Sequence, residues 1–169
     1  MTYTMHRVFC AAAWDLESER EAFLGVIGDF NETQAMQRGV LFVPVTLSWH
    51  TQDKLPIQPT IDQNIRDCRY YVQVIENTWG PPHRSFEREY ALAVECLADA
   101  TLPMRGVAVL FKTSAVPAAL EPDVARLRAS LEAGDGPPHY DFSTPEEYRE
   151  HWWRMLTAWL ESAVTQAAA

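Results

Sequence analysis

Apolar positions along the chain follow two kinds of spacing: short unbroken runs, and stretches in which they recur every third or fourth residue. Residues 6–14, HRVFCAAAW, form a first run that ends in small side chains. Directly after it, in 15–30, Leu16, Phe23, Ile27 and Phe30 recur at helical spacing. Asp15 is placed to cap the start of this segment, and acids fill its first turn, where the helix dipole favours them. The pattern predicts strand, tight turn, helix. Residues 40–47, VLFVPVTL, predict a second buried strand. Its Pro44 points to a bulge or an edge position, because proline brings no N–H to a ladder.

A polar loop over 48–59 leads to a short helix at 60–68, with Ile57, Ile61, Ile65 and Cys68 in helical register. The third strand is 70–76, YYVQVIE, followed by a helix over 85–99 and a fourth strand over 105–112. Three of these four runs show little polar alternation, as expected for a parallel sheet covered on both faces. Residues 117–133 predict an amphipathic helix despite Pro122, and 134–142, GDGPPHYDF, a turn-rich connector. Residues 143–166 carry the clearest helix signal, with Thr144 as N-cap, Pro145 at the first helical position and Glu147 completing a capping box. The final alanines are expected to fray.

Strands alternating with helices imply an α/β fold, a doubly wound and mainly parallel sheet with helices on both faces. The expected organisation is one domain over 1–169, in which 113–169 is a C-terminal helical extension packed on the sheet. In such sheets ligands bind outside the carboxyl ends of the strands. The loops that matter are then 11–15, 46–56, 77–86 and 113–117.

Composition narrows the functional classes. The formal charge of −9, from 14 Lys plus Arg against 23 Asp plus Glu, argues against nucleic acid or an anionic membrane as partner. Cys10, Cys68 and Cys96 are far apart and odd in number, which suits a reducing cytoplasm better than a disulfide framework. The N-terminus lacks the basic and apolar regions of an export signal, and no window approaches the length of a membrane span.

No glycine-rich dinucleotide turn, phosphate-binding Gly-Lys-Ser/Thr loop or nucleophile elbow occurs, and His6, His50, His83, His139 and His151 show no metal-ligand spacing. Carboxylates, an arginine and aromatic surfaces remain. Arg20 falls within the apolar stripe of the first helix, so its guanidinium needs a partner: Asp15, Glu19 or Asp67 within the chain, or a ligand. Glu87 and Glu89 stand near the start of the 85–99 helix and point in different directions, so at most one can face the sheet edge; acids there also simply suit the dipole. The stripe of Tyr148, Trp152, Met155 and Trp159 is expected to dock the last helix, with Trp153 off it and exposed.

Taken together, HRVFCAAAWDLESEREAF, with Asp15, Leu16, Glu19 and Arg20, resembles the opening of the DUF4062 family, a TIR-like module. IDQNIRDCRYYVQVIENTWG, with Asp67, the 70–75 run and Trp79-Gly80, is similar to that family's next landmark, and SFEREYALA matches its Glu-x-Glu-Tyr helix start at Glu87, Glu89 and Tyr90. The likeness covers roughly 6–112 in the expected order. Two departures are Ala11, Ala12 and Ala13 where a Ser/Thr turn is usual, and Trp79 in place of Tyr.

The resemblance implies a flavodoxin-like, TIR-like sheet, related more distantly to nucleoside deoxyribosyltransferases. It implies an N-glycosidase that cleaves NAD or a related nucleotide as substrate, in prokaryotic defence or signalling. A glutamate would stabilise an oxocarbenium-like transition state. Its register selects Glu89 as the catalytic acid, with Glu87 second. Ala12, Asp15, Arg20, Asn77, Trp79 and Gly80 would form the substrate side, Arg20 on a phosphate or a loop and Trp79 on a base. The alternative it implies is a non-catalytic TIR-like module that self-associates or binds a signalling protein. Deoxyribosyl transfer ranks last, because no segment supplies the second acid that would hold the base. No cofactor or metal is expected.

Overall fold

The structure is a computed structural model that describes residues 2–47, 58–80, 84–115 and 118–168. Most of the expected 46–56 loop therefore lies outside the described residues, as do Ile57, Pro81, Pro82, His83, residues 116 and 117, and Ala169.

Five parallel strands form one sheet in the order β2-β1-β3-β4-β5. They are β1 (Thr4–Ala12), β2 (Val40–Val45), β3 (Tyr70–Ile75), β4 (Gly106–Lys112) and β5 (His139–Phe142). The helices are α1 (Glu17–Phe30), α2 (Gln58–Arg66), α3 (Phe86–Ala98), α4 (Pro122–Glu132) and α5 (Pro145–Ala168). The order is that of the flavodoxin-like doubly wound fold, with its topological switch point where β1 lies beside β3, Ala12 opposite Val74.

Successive side chains of a strand point to opposite faces, so the runs divide cleanly between two layers. Val8, Cys10 and Ala12 share one core with Phe23 and Ile27 of α1 and Trp152 and Leu156 of α5. Phe9, Ala11 and Ala13 belong to a second core with Ile61 and Ile65 of α2 and Phe86 and Ala93 of α3. On this second face α4 covers the far side of the sheet, packing Val124 and Leu131 against Ile75, Val109 and Phe111. β3 is buried along its full length, as its unbroken run predicts.

The α5 stripe docks as expected. Tyr148, Trp152 and Met155 are buried, Trp152 lies 4.5 Å from Phe23, and Trp159 stacks on Tyr70 at 4.1 Å. Trp153 is 37% exposed and meets Phe30 edge-on. The capping box forms: the Glu147 N–H donates to Thr144 Oγ1 at 3.2 Å, and Glu147 Oε2 accepts from the N–H groups of Ser143 and Thr144.

Three expectations are corrected. Asp15 does not cap α1: it sits exposed in a 3-10 turn, Trp14–Leu16, whose own cap makes no side-chain bond. Pro122 does not interrupt a helix but begins one, in the first turn where its missing N–H costs nothing. The supposed connector contains β5, so 113–169 contributes a strand as well as helices. Only four residues long, that strand joins β4 through Val109 N–H to Pro138 O and Thr113 N–H to Phe142 O.

Pro44 lies on β2, an edge strand, and is exposed. Beside it, Asn31 binds the outer backbone of Phe42 twice: its Nδ2 donates to Phe42 O, and its Oδ1 accepts from Phe42 N–H, both at 2.9 Å.

Candidate functional site

At the carboxyl edge of the sheet, β1 ends on three alanines and turns into α1. Arg20, one turn into α1 and 9% exposed, reaches back to that turn: its Nη1 donates to Ala12 O at 3.0 Å and Ala13 O at 2.6 Å. The guanidinium thus binds carbonyls at the end of the strand, Ala13 O also accepting from Leu16 N–H, a structural reason for a buried cation at this place. Of the acids considered for Arg20, Glu19 pairs instead with Lys112 at 2.8 Å, and Asp67 lies 3.7 Å from Arg7.

The loop after β3 packs onto this turn. Gly80 adopts φ +101°, and a Cβ built there would stand 2.9 Å from Ala13 Cβ and 3.3 Å from the Phe86 ring. Only a glycine lets these backbones meet. The switch point is therefore filled by van der Waals contact between the β1 turn, Gly80 and Phe86. Asn77 and Trp79 are drawn the other way, toward α4: Asn77 O accepts from Glu121 N–H at 2.9 Å, and Trp79 N–H donates to Glu121 Oε2 at 3.3 Å. The half-buried Trp79 ring packs 5.9 Å from Tyr90.

Glu89 was expected at the mouth of a cleft bordered by Ala12, Arg20 and Trp79. The structure corrects that placement. Its side chain is fully buried, and Arg84, itself 6% exposed, donates Nε to Oε1 at 2.8 Å and Nη2 to Oε2 at 3.0 Å. Arg84 also stacks over the Phe86 ring at 4.4 Å. The pair lies in the α2–α3 layer, opposite the α1–α5 layer that holds Arg20. Glu87, the competing register, is exposed on the outer side of α3.

Around the pair runs a buried polar network that sequence reasoning missed. Tyr71 donates its hydroxyl to Gln73 Oε1 at 2.7 Å, and Gln73 Nε2 donates to Ala11 O at 3.1 Å. Burial, with the negative charge of Glu89 next, pushes the Tyr71 phenol well above its ordinary value, which keeps it a neutral donor. A signal for the network was available. Gln73 is the lone polar residue of its run, and Glu89 falls in register with the buried Phe86, Leu92, Ala93 and Cys96.

One strand over from the switch point, a depression of about 350 Å³ opens at the ends of β3 and β4, lined by Glu76, Asn77, Lys112, Thr113, Ser114 and Arg128 among others. Its cations are matched: Lys112 by Glu19, and Arg128 by Glu132 at 3.0 Å and Asp141 at 2.9 Å. Asn77 is the expected site residue that reaches it. Among the described residues no cluster of three or more His, Cys, Asp or Glu could hold a metal, and no helix is long and apolar enough to cross a membrane.

No family model and no curated protein matches the chain. Among solved structures, general stress protein 14 of Treponema denticola in complex with FMN is similar at 13% identity and TM-score 0.45, over 93% of this chain and 98% of that one. At that level the likeness bears on neither ligand nor activity.

Proposed function

We propose that this chain is a TIR-like protein-interaction module, assembling with copies of itself or with a signalling protein. The observation that carries the reading is the Arg84–Glu89 pair. Stabilising an oxocarbenium-like centre requires carboxylate oxygens within reach of a ribose. Both oxygens of Glu89 instead accept hydrogen bonds from one buried guanidinium. The turn that would face a phosphate or ribose offers Ala11, Ala12 and Ala13, which carry no hydroxyl, and its carbonyls are engaged by Arg20. What the fold presents outward is helical surface on both sides of a filled sheet edge.

The test is incubation of the full chain with NAD and with NADP at high protein concentration, with nicotinamide quantified against a blank. The expected result is no release above the blank. Sustained nicotinamide release by the unmodified chain overturns the reading and returns the carboxylate to a catalytic role. Light scattering across a concentration series then tests self-assembly: a rising mass identifies a second copy as partner, and a constant mass rules that partner out.

A further inference from the structure

The opposite, amino end of the sheet carries two buried polar atoms that nothing in the fold uses. His6, at the start of β1, is 7% exposed, and its Nε2 has no hydrogen-bond partner; the same holds for Nε of Arg69, just before β3. A buried N–H or ring nitrogen left unpaired costs free energy, so such a pair signals a missing partner. Both side chains line two depressions at this end, of about 290 and 370 Å³, one rimmed by Arg38 and the other by Arg7.

Charge sharpens the inference. The chain as a whole carries −9, yet this end gathers arginines. Arg38 is neutralised by Glu161, and Arg7 faces Asp67. Among the described residues, neither Arg69 nor Arg105 pairs with a carboxylate. Arg69 Nη2 donates to the neutral Gln166, and Arg105 Nη1 to the carbonyls of Leu102 and Met104. The charge of each reaches the Tyr70 hydroxyl, but Arg105 lines a separate depression with Trp159, while Arg69 lines the two beside His6. An uncompensated guanidinium beside an unpartnered imidazole, with the Arg38 and Arg7 guanidiniums at the rims, suits a multiply charged oxyanion better than a single carboxylate.

We propose that the amino end of the sheet binds a phosphate group, seated on Arg69 Nε and His6 Nε2. The site is separate from the carboxyl edge and does not rest on the reading above. Burial, and then the positive charge of Arg69, lower the His6 pKa. A bound dianion would oppose that electrostatic effect and raise it, so the protonated ring and the dianion favour each other. The charged and titratable groups around His6 are Arg69 just before β3, Tyr70 of β3, Arg38 with its Glu161 from α5, and Arg7 with Asp67.

The experiment is titration of the full chain with inorganic phosphate, with glycerol phosphate and with acetate, following the His6 ring by NMR. Saturable shifts at His6 with phosphate, and a raised His6 pKa when it is bound, are expected. Acetate should bind roughly tenfold more weakly, and Arg69→Gln should weaken phosphate by about tenfold or more, as loss of a charge-assisted bond requires. Arg69→Lys keeps the charge without the Nε–H and is expected to lose most of the affinity, which preserves the test if the glutamine variant fails to fold. Arg126→Gln, on α4, should change nothing. Glycerol phosphate binding as well as free phosphate supports recognition of the phosphate group alone; tighter binding supports a seat for an organic moiety as well. Non-saturating shifts, a His6 pKa indifferent to phosphate, or wild-type binding by the lysine variant overturns the proposal and leaves the two atoms merely hydrated.

Discussion

Arg84 holds both oxygens of Glu89 from five residues upstream, so α3 carries its counter-ion on the loop that leads into it. Removing one partner strands the other charge in a dry interior. Glu89→Gln or Arg84→Met alone is expected to lose about 3–5 kcal/mol of stability, whereas the double change Arg84→Met with Glu89→Leu should restore most of it. Urea unfolding of the three variants checks this. A double variant as unstable as the singles would show that the pair does more than neutralise itself.

Gly80 and Gly134 offer a matched comparison. Both have positive φ, +101° and +88°, but a Cβ at Gly80 meets Ala13 at 2.9 Å while one at Gly134 meets nothing within 4 Å. Gly134→Ala should cost the backbone strain alone, about 1–2 kcal/mol, and Gly80→Ala distinctly more, because the β1 turn must also give way. Thermal midpoints of the two proteins give the difference directly. Equal losses would mean that the switch point is not tightly packed.

The cysteines report on the interior. Cys10, Cys68 and Cys96 are free and buried, and burial pushes the Cys10 and Cys68 thiols up to about 12. A thiolate reagent at neutral pH should find neither in the folded protein and both after unfolding. Because the folded value lies above the unfolded one, near 9, the thiols are neutral in both states below that pH and impose no penalty. As pH rises from about 9 toward about 12 the unfolded chain sheds protons that the folded chain retains, and stability falls. An alkaline unfolding series tests the direction.

The start of α5 is sensitive to acid. Hydrogen bonds from Ser143, then from the Thr144 N–H, hold the Glu147 carboxyl below its ordinary value. With a folded value under the unfolded one, the stabilisation is present above the unfolded value and is lost as pH falls through the folded one. Thr144→Ala should cost about 0.5–2 kcal/mol near neutrality, as for other caps. Hydrogen-exchange protection at the first turn of α5, taken relative to the intrinsic rate at each pH, should fall both in that variant and in acid.

Much of the architecture could be read from spacing. The unbroken run of β3 announced a strand covered on both faces, and Thr144-Pro145 announced the start of α5 to the residue. The strand His139–Phe142 was hidden because an edge strand of four residues, two of them polar, carries no periodicity to separate it from a turn. The site was less legible. Phe86, Glu89, Leu92 and Ala93 share one apolar stripe, a sign of burial that the expectation of a cleft-facing Glu89 set aside, and Arg84 precedes the helix, where the rule of three and four does not reach. Arg20 was correctly expected to need a partner. That its partners include the carbonyls of Ala12 and Ala13 depends on how the alanine turn folds, which no pattern of side chains reveals.

The two hydrogen bonds from Asn31 to Phe42 occupy the outer rim of β2, and Pro44, two residues on, lacks the N–H that an added strand would need. An amide side chain thus acts as a sixth strand one residue long. Growth of the sheet into a continuous ribbon across neighbouring molecules is blocked on that flank, so any higher-order arrangement has to build through the helical layers or from the short strand at the other margin.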